Sequence, residues 1–419
     1  EKIIMPSATN DFKKGISSFE LVGKLHISPN TFSLDDKSKN GFISNKMYLG
    51  VDCGNGGVVF AEMWGGYSTN EDGDIISKLY VHGSKTDPND TRRNIDDYDN
   101  RFEIAWEDRE DPEVVSAVGP SCFIRVGLEV GSDKKLAVHR FLSAYDAVAD
   151  VNDIISGWTE EQIDSTIVTV RGNIEYRYYE GRVTYRKVIN SIILNNFAKE
   201  ENFKSEFTQT IYVNKTSLGK PDMEKKLLPI TAKIPEYVGK YKGYEVKETV
   251  PLNVEFQIDC TSKFAKFFAE QIKASNKYMC AVVRGSFSET GSTEIITVED
   301  LPETYRNLIE EGSVTEEDVM KCYASDNRKV YLLYLNGVRV LKDESGLPAK
   351  DITLNVYTEK DMDKLSENFY EIVREADSDK NETETVPTPT EDDELPADIE
   401  EASDEMPVDD MSWMENFMQ

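Results

Sequence analysis

Apolar and polar residues alternate along much of the chain, and this period of two is typical of β-strands. The alternation covers 19–26, 46–51 and 58–64, and the glycine-rich stretch 54–57 predicts a turn between the last two. It returns over 76–82 and 122–130. We therefore predict a β-rich N-terminal domain over residues 1–160, with an OB-like barrel as one candidate architecture.

A second alternating block follows the capping-box pattern of Thr159 and Gln162, which predicts a short helix. Two strand patterns flank Glu180-Gly181, so we predict a β-hairpin over 167–189. Further strand patterns lie at 207–213, 227–232, 250–258 and 279–284, and helical spacing of Phe264, Phe267, Phe268 and Ile272 predicts a packed helix. Strands, a helix and another strand indicate a basic OB-like barrel domain over 161–290.

The remaining chain predicts two different segments. Residues 291–376 read as a small α+β extension, with a hairpin around Asn336-Gly337 and a helix over 360–376. Residues 377–419 combine acidic residues, Thr and Pro, a composition typical of disorder. The predicted fold class is mainly β (β-rich α+β): tandem OB-like barrels with a disordered acidic C-terminal tail and an apolar tip.

Composition limits the class of protein. The 419 residues are 39% hydrophobic, enough for a large core, and no apolar run approaches the roughly 20 residues of a membrane span. No signal-peptide pattern follows Glu1, so we expect a cytoplasmic protein, in the bacterial host cytoplasm if it is phage-encoded. Five scattered cysteines without a C-x-x-C pair, and three histidines, predict neither a disulfide framework nor a metal site, and no cofactor is expected.

Charge is distributed unevenly along the chain. The formal net charge is −30, yet residues 165–290 hold 20 basic and 14 acidic residues. Residues 377–419 hold 16 acidic residues and one basic residue. The middle of the chain is thus the one net-basic stretch, and it is followed by a strongly anionic end.

The predicted hairpin would sort its side chains onto two faces. Pairing about Glu180-Gly181 places Tyr179 opposite Arg182, and Arg177 and Arg186 on the same cationic side. The other side is rich in aromatic residues, and cations beside rings are what single-stranded nucleic acid requires. The candidate binding residues of the hairpin are Arg171, Tyr176, Arg177, Tyr178, Tyr179, Arg182, Tyr185, Arg186 and Lys187.

Two further clusters repeat this mixture of rings and cations. One lies in a predicted mobile loop and comprises Tyr237, Lys240, Tyr241, Lys242 and Tyr244. A weaker candidate surface in the N-terminal domain comprises Lys24, His26, Lys46, Tyr48, Phe60, Trp64 and Tyr67. Core packing is the favoured interpretation of Phe60 and Trp64, and the tyrosines of the hairpin can equally be half-buried barrel residues.

Enzymatic chemistry has little support in the sequence. The loop Gly50–Gly57 resembles the first phosphate loop of actin-like ATPases, but a hairpin turn explains it as well, and no G-x-x-x-x-G-K-[ST] loop occurs. No Ser/His/Asp or Cys/His constellation is indicated by spacing, so we predict that the protein is not an enzyme.

The C-terminal tail and its position after a folded body resemble the layout of a known class of protein. A folded body, an acidic Pro-containing linker and the tip Asp409-Asp410-Met-Ser-Trp-Met-Glu-Asn-Phe417 resemble the layout of bacterial and phage single-stranded DNA-binding proteins with OB folds. That resemblance implies a tail that competes with DNA and a tip that binds replication or recombination proteins. The tip residues would be Trp413, Met414, Phe417 and Met418.

The sequence therefore favours a non-enzymatic single-stranded DNA-binding protein for replication, recombination or repair. It would bind by base stacking on Tyr and by phosphate contacts from Arg and Lys. Two alternatives stay open: a viral structural or scaffold protein with a docking tail, and an actin-like nucleotide-binding ATPase.

Overall fold

A computed structural model describes residues 12–54, 57–70, 72–132, 134–195, 197–290, 330–342 and 345–378. The predicted disordered tail lies outside the described residues from position 379 onward, and so does its apolar tip. The first half of the chain contains β1 (Ser17–His26), β2 (Phe32–Lys37), β3 (Phe42–Asp52), β4 (Val58–Ser68), β5 (Lys78–Asp87), β6 (Asp90–Ala105), α1 (Pro112–Ala117), β7 (Ile124–Val130), β8 (Leu136–Phe141), α2 (Ala144–Ser156), α3 (Glu160–Ser165), β9 (Ile167–Tyr179) and β10 (Arg182–Leu194).

The second half contains β11 (Lys204–Val213), β12 (Leu227–Tyr241), β13 (Tyr244–Asp259), α4 (Lys263–Ala274), β14 (Tyr278–Thr290), β15 (Val330–Val338), β16 (Val340–Lys342), β17 (Pro348–Lys350), β18 (Ile352–Tyr357) and α5 (Glu359–Ser378). The predicted mainly β fold class is confirmed. The capping box that begins α3 is present, because the Thr159 and Gln162 side chains bond each other's backbone N–H groups.

Five strands close the first barrel. β1 pairs with β3, β3 with β4, β4 with β10 in parallel, β10 with β9, and β9 with β1 again. Helices α2 and α3 lie between the third and fourth of these strands in chain order. A five-stranded barrel with one parallel closure and a helix at this point is OB-like.

The second barrel repeats the same connectivity. β11 pairs with β12, β12 with β13, β13 with β15 in parallel, β15 with β14, and β14 with β11. Helix α4 occupies the same position in chain order as α2 and α3. Its predicted apolar face is confirmed, since Phe268 and Ile272 are fully buried.

The expected boundaries between domains need correction. The hairpin β9–β10 completes the first barrel, so the division between the barrels falls between Leu194 and Lys204, not near residue 160. Strand β15, expected in the extension, closes the second barrel. The expected hairpin at Asn336-Gly337 is wrong, because both residues lie within β15, where the register against β14 shifts.

The barrels share one strand and one core. Residues 17–22 of β1 pair with β11 of the second barrel, and residues 24–26 pair with β3 of the first. A continuous buried cluster includes Leu49 and Ile174 from the first barrel and Phe207 and Phe287 from the second. The two barrels therefore form one packed unit.

Candidate nucleic-acid interface

The hairpin β9–β10 has the register that the sequence predicts. Tyr179 pairs with Arg182, Arg177 with Thr184, and Glu175 with Arg186. Glu180 and Gly181 both have positive φ, at 47° and 83°. This combination defines a type I′ turn, whose twist matches that of the strands it connects.

A groove opens between the outer part of this hairpin and strands β3 and β4 of the same barrel. The only pairing between β10 and β4 is the single parallel position Val188–Glu62, so the outer part of the hairpin stands away from β4. We call the resulting space the hairpin groove. It has a volume of about 390 Å³ and is lined by Lys46, Glu62, Trp64, Arg177, Thr184, Tyr185 and Arg186. An adjoining cavity adds Tyr48 and Phe60.

Aromatic rings form one wall of the groove. Trp64 is 48% exposed and Tyr48 is 42% exposed, so the core packing expected for Trp64 is wrong. The rings of Tyr48 and Phe60 stack with centroids 5.0 Å apart and planes 4° from parallel. Phe60 lies opposite Gly50 in the β3–β4 register, and its ring meets His26 edge to face, with centroids 6.2 Å apart. Trp64 and Tyr48 thus each offer exposed ring surface on which a base could stack.

Cations surround these rings, and they differ in their partners. Arg186 bonds Glu62 at 3.1 Å and Glu175 at 2.7 Å, so carboxylates already occupy its guanidinium. Lys46, Arg177 and Arg182 make no ion pair with any residue that the structure describes. These three side chains can therefore meet an added anion without first breaking an ion pair.

Several predicted hairpin residues face inward instead. Tyr176 is 4% exposed and donates a hydrogen bond to Gln209, and burial raises the pKa of its hydroxyl well above the ordinary value. Tyr178 packs against Phe369 of α5. The ring of Tyr185 lies against Phe287 of the second barrel, and the ammonium of the buried Lys187 lies over both rings. Tyr176 and Tyr178 line neither the hairpin groove nor its adjoining cavity, whereas the half-buried Tyr185 lines both.

Arg171 lies apart from the groove. It bonds Glu20 of β1, which also bonds Lys204 at 2.5 Å. Burial would raise the pKa of Glu20, but hydrogen bonds from both cations outweigh it and lower that pKa. Arg171 therefore belongs to an ion-pair network at the junction of the barrels, where no groove residue lies.

The second cluster of tyrosines and lysines is a hairpin tip, not the expected loop. β12 and β13 turn at Lys242-Gly243, and both of these residues have positive φ. Tyr237 and Tyr244 are exposed, and Lys240 is exposed beside them, whereas Tyr241 is buried. This tip contributes no residue to the lining of the hairpin groove.

Lys242 joins three elements in an arrangement we call the Lys242 clasp. Its ammonium bonds Asp377 of α5 at 2.6 Å and Glu180 of the β9–β10 turn at 3.0 Å. Tyr241 donates a hydrogen bond to the same Asp377 carboxylate at 3.1 Å. Burial opposes the charge on Lys242, but the bonds to Asp377 and Glu180 outweigh it and raise its pKa. The clasp fixes the end of α5 beside the tip of the β9–β10 hairpin.

The second barrel has no matching open face among the described residues. Its strands β12 and β13 correspond to β3 and β4, and α5 packs across them. Lys233 lies on this side near Asp363 and Glu359, and burial lowers the pKa of its ammonium. Only the first barrel presents this face to solvent within the described part of the chain.

One side-chain cluster escaped sequence reasoning. Asp96 lies 3.0 Å from Nε2 of His82, and the Cys122 sulfur lies 3.4 Å from Nδ1 and 3.6 Å from Nε2. Because the two distances are nearly equal, the thiol is not aimed at one nitrogen in particular. Burial raises the pKa of the Cys122 thiol above its ordinary value. A neutral thiol is a poor nucleophile. Within the described ranges, no group of three or more His, Cys, Asp or Glu side chains could hold a metal ion.

No helix in the described part of the chain combines the length and apolar character needed to cross a membrane. No protein-family model matches the sequence, and no curated protein matches it. Among solved structures, a deletion variant of the single-stranded DNA-binding protein from Thermus aquaticus matches with a TM-score of 0.26 and 10% identity. The match covers 65% of this chain and 88% of that chain. The strand pairing alone defines the two barrels.

Proposed function

We propose that the chain is a non-enzymatic single-stranded DNA-binding protein and that the strand binds in the hairpin groove. The observation that carries the proposal is the exposure of Trp64 and Tyr48 beside Lys46 and Arg177, two cations without ion-pair partners among the described residues. Every base has a flat face, so stacking on these rings tolerates any sequence.

The exposed face of β3 and β4 suits an extended single strand of DNA better than a DNA duplex. Bases reach Trp64 and Tyr48 only when their faces are unpaired and unstacked, a condition that single strands meet. Phosphates would contact Lys46, Arg177 and Arg182, and the release of condensed counterions makes affinity fall with salt. With α5 over the corresponding face of the second barrel, one barrel supplies the binding surface.

The acidic tail would act as a tethered competitor. The Lys242 clasp holds Asp377 beside Glu180, so α5 ends at the tip of the hairpin that bears Arg177 and Arg182, and the acidic segment 379–419 follows α5 in the chain. A polyanion attached there has a high effective concentration at the groove. DNA would displace it, and its tip residues would then recruit replication, recombination or repair proteins.

Titration of fluorescent oligo-dT at low and high salt tests the proposal. Trp64→Ala and Tyr48→Ala should each weaken binding roughly 5- to 150-fold, because stacking contributes about 1–3 kcal/mol per base. Lys46→Ala and Arg177→Ala should each reduce the dependence of log affinity on log salt by roughly 0.7.

Matched controls remove the same groups outside the groove. Phe197→Ala removes an exposed ring and Lys225→Ala an exposed ammonium, and both should bind like the wild type. The proposal fails if wild-type binding is insensitive to salt, if duplex binds as tightly as single strand, or if the groove variants match their controls.

A further inference from the structure

The hairpin β5–β6 forms a separate two-stranded sheet, which we call the arm. One face of the arm packs on the body, where Val81 and Ile104 meet Val118 and Phe123 in a small buried cluster. The cluster anchors the arm, so its opposite face has a fixed position.

That opposite face carries exposed rings around an arginine. Tyr80 is 78% exposed and Tyr98 is 60% exposed. Together with His82, Arg101 and Glu103 they line a cavity of about 490 Å³. We call Tyr80, Tyr98 and Arg101 the Tyr–Arg face. The hairpin groove also combines exposed aromatic rings with cationic side chains, so the two surfaces share the same kinds of group.

A bulge in the arm builds this face. The register passes from His82–Arg101 to Gly83–Asp97, so residues 98–100 have no partner in the opposite strand. Gly83 permits the bulge, because a Cβ there would lie 2.5 Å from the Asn100 amide. The ring of Tyr98 consequently sits 4.5 Å from that of His82.

Three carboxylates near this face already have partners, whereas Asp99, next to Tyr98, makes no ion pair within the described ranges. Glu103 bonds Lys78 at 2.6 Å, Asp97 bonds Lys85 at 3.1 Å, and Asp96 bonds His82 at 3.0 Å. Arg101 donates from Nε to the Tyr98 carbonyl and makes no ion pair within the described ranges. Its remaining N–H groups are available for a phosphate.

The arm continues directly from the wall of the groove. The Ser68 N–H at the end of β4 donates to the Ser77 hydroxyl, one residue before β5 begins. Trp64 lies four residues before Ser68 and Tyr80 three residues after Ser77. At about 3.3 Å per residue, the chain separates each ring from this junction by roughly 10–13 Å.

We propose that the Tyr–Arg face is a second contact for the same single strand of DNA, and that it binds the nucleotides that extend past Trp64. This inference rests on the proposed function of the hairpin groove. Short strands fill the groove alone, and longer strands also reach the arm.

Fluorescence anisotropy of the full-length protein with oligo-dT of about 6 and about 20 nucleotides tests the inference, since one OB fold binds roughly 4–16 nucleotides. Tyr80→Ala/Arg101→Ala should bind the short strand like the wild type and the long strand roughly 5- to 150-fold more weakly. Tyr80→Phe keeps the ring and should retain wild-type affinity for both lengths. Trp64→Ala, in the groove, should lose affinity for both lengths.

Wild-type affinity of the double variant for both lengths would overturn the role of the arm while leaving the groove intact. A loss for both lengths would also overturn it, because the face would then belong to the primary site. If the wild type binds neither strand, the proposed function fails and this inference fails with it.

Discussion

Glu236 places a carboxylate at the buried junction of the two barrels. It bonds Lys14 at 2.5 Å and accepts a hydrogen bond from the Tyr176 backbone N–H at 3.4 Å. Burial raises its pKa above the ordinary value of 4.5, and the ion pair with Lys14 offsets only part of that effect. The native state therefore favours the protonated form more than the unfolded chain does.

The sign of the pH dependence follows from this shift. Between pH 4.5 and the raised native pKa the folded protein holds more protons at Glu236, so the free energy of unfolding falls as pH rises. Each unit of raised pKa corresponds to about 1.4 kcal/mol. Glu236→Gln should flatten this part of the curve, as measured by urea unfolding at several pH values. The exposed Glu270→Gln should keep the wild-type slope, and parallel curves for wild type and Glu236→Gln would contradict the argument.

At the level of single residues, the alternation of the hairpin is predictable from the sequence, but the environment of each ring is not. Tyr176 and Tyr179 differ in exposure because Tyr176 points toward the junction with the second barrel. The sequence favours core packing for Trp64, yet its side chain lines the same groove as Arg177 from the basic segment. Local patterns do not contain such contacts between distant segments.

Strand β1 depends on one glycine to serve both barrels. Its pairing partner changes from β11 to β3 at Gly23, where the chain passes close to the carbonyl of Asp52. A Cβ at Gly23 would lie 2.0 Å from that carbonyl oxygen. Because this oxygen belongs to the backbone of β3, it cannot rotate away as the end of a flexible side chain could.

Gly23→Ala should therefore destabilise the protein by roughly 1–3 kcal/mol, the usual cost of forcing extra atoms into a packed region. Chemical denaturation monitored by tryptophan fluorescence measures the change. Gly337→Ala is the matched control, because a Cβ there meets no atom within 4 Å. Equal stability of the two variants would show that β1 can bend without glycine.

At the level of elements, the sequence predicts the strands and helices better than it predicts which strands pair with one another. The β9–β10 hairpin and its register, the α3 capping box and the α4 apolar face are all present as expected. The sequence could not show that β9 pairs with β1, about 150 residues away, because register over that distance is decided by the whole barrel. Asn336-Gly337 does not form the expected turn for a related reason: pairing with β14 keeps both residues in one strand.

At the scale of the molecule, a net charge of −30 coexists with a cationic hairpin. The basic segment contributes β9 and β10 to a barrel whose other strands come from the acidic segment. The hairpin groove thereby gathers cations of β9 and β10 in a chain that is acidic overall.

Removal of residues 379–419 should tighten binding to oligo-dT roughly tenfold or more at low salt, and the gain should shrink at high salt. A variant that replaces the tail acids by Ser and Asn at constant length should bind like the truncated protein, because charge and not chain length drives competition. Anisotropy titrations compare the three proteins. Unchanged or weaker affinity of the truncated protein at low salt would rule out the competing tail.

The shared strand β1 also bears on how the protein is made. It leaves the ribosome long before two of its partners, because its neighbour β9 ends at Tyr179 and its neighbour β11 at Val213. At about 5–20 residues per second, the nascent chain carries β1 without these neighbours for roughly 10 to 40 s. The interval exposes an unpaired strand edge to other nascent chains, so a holding chaperone would have a clear target in β1.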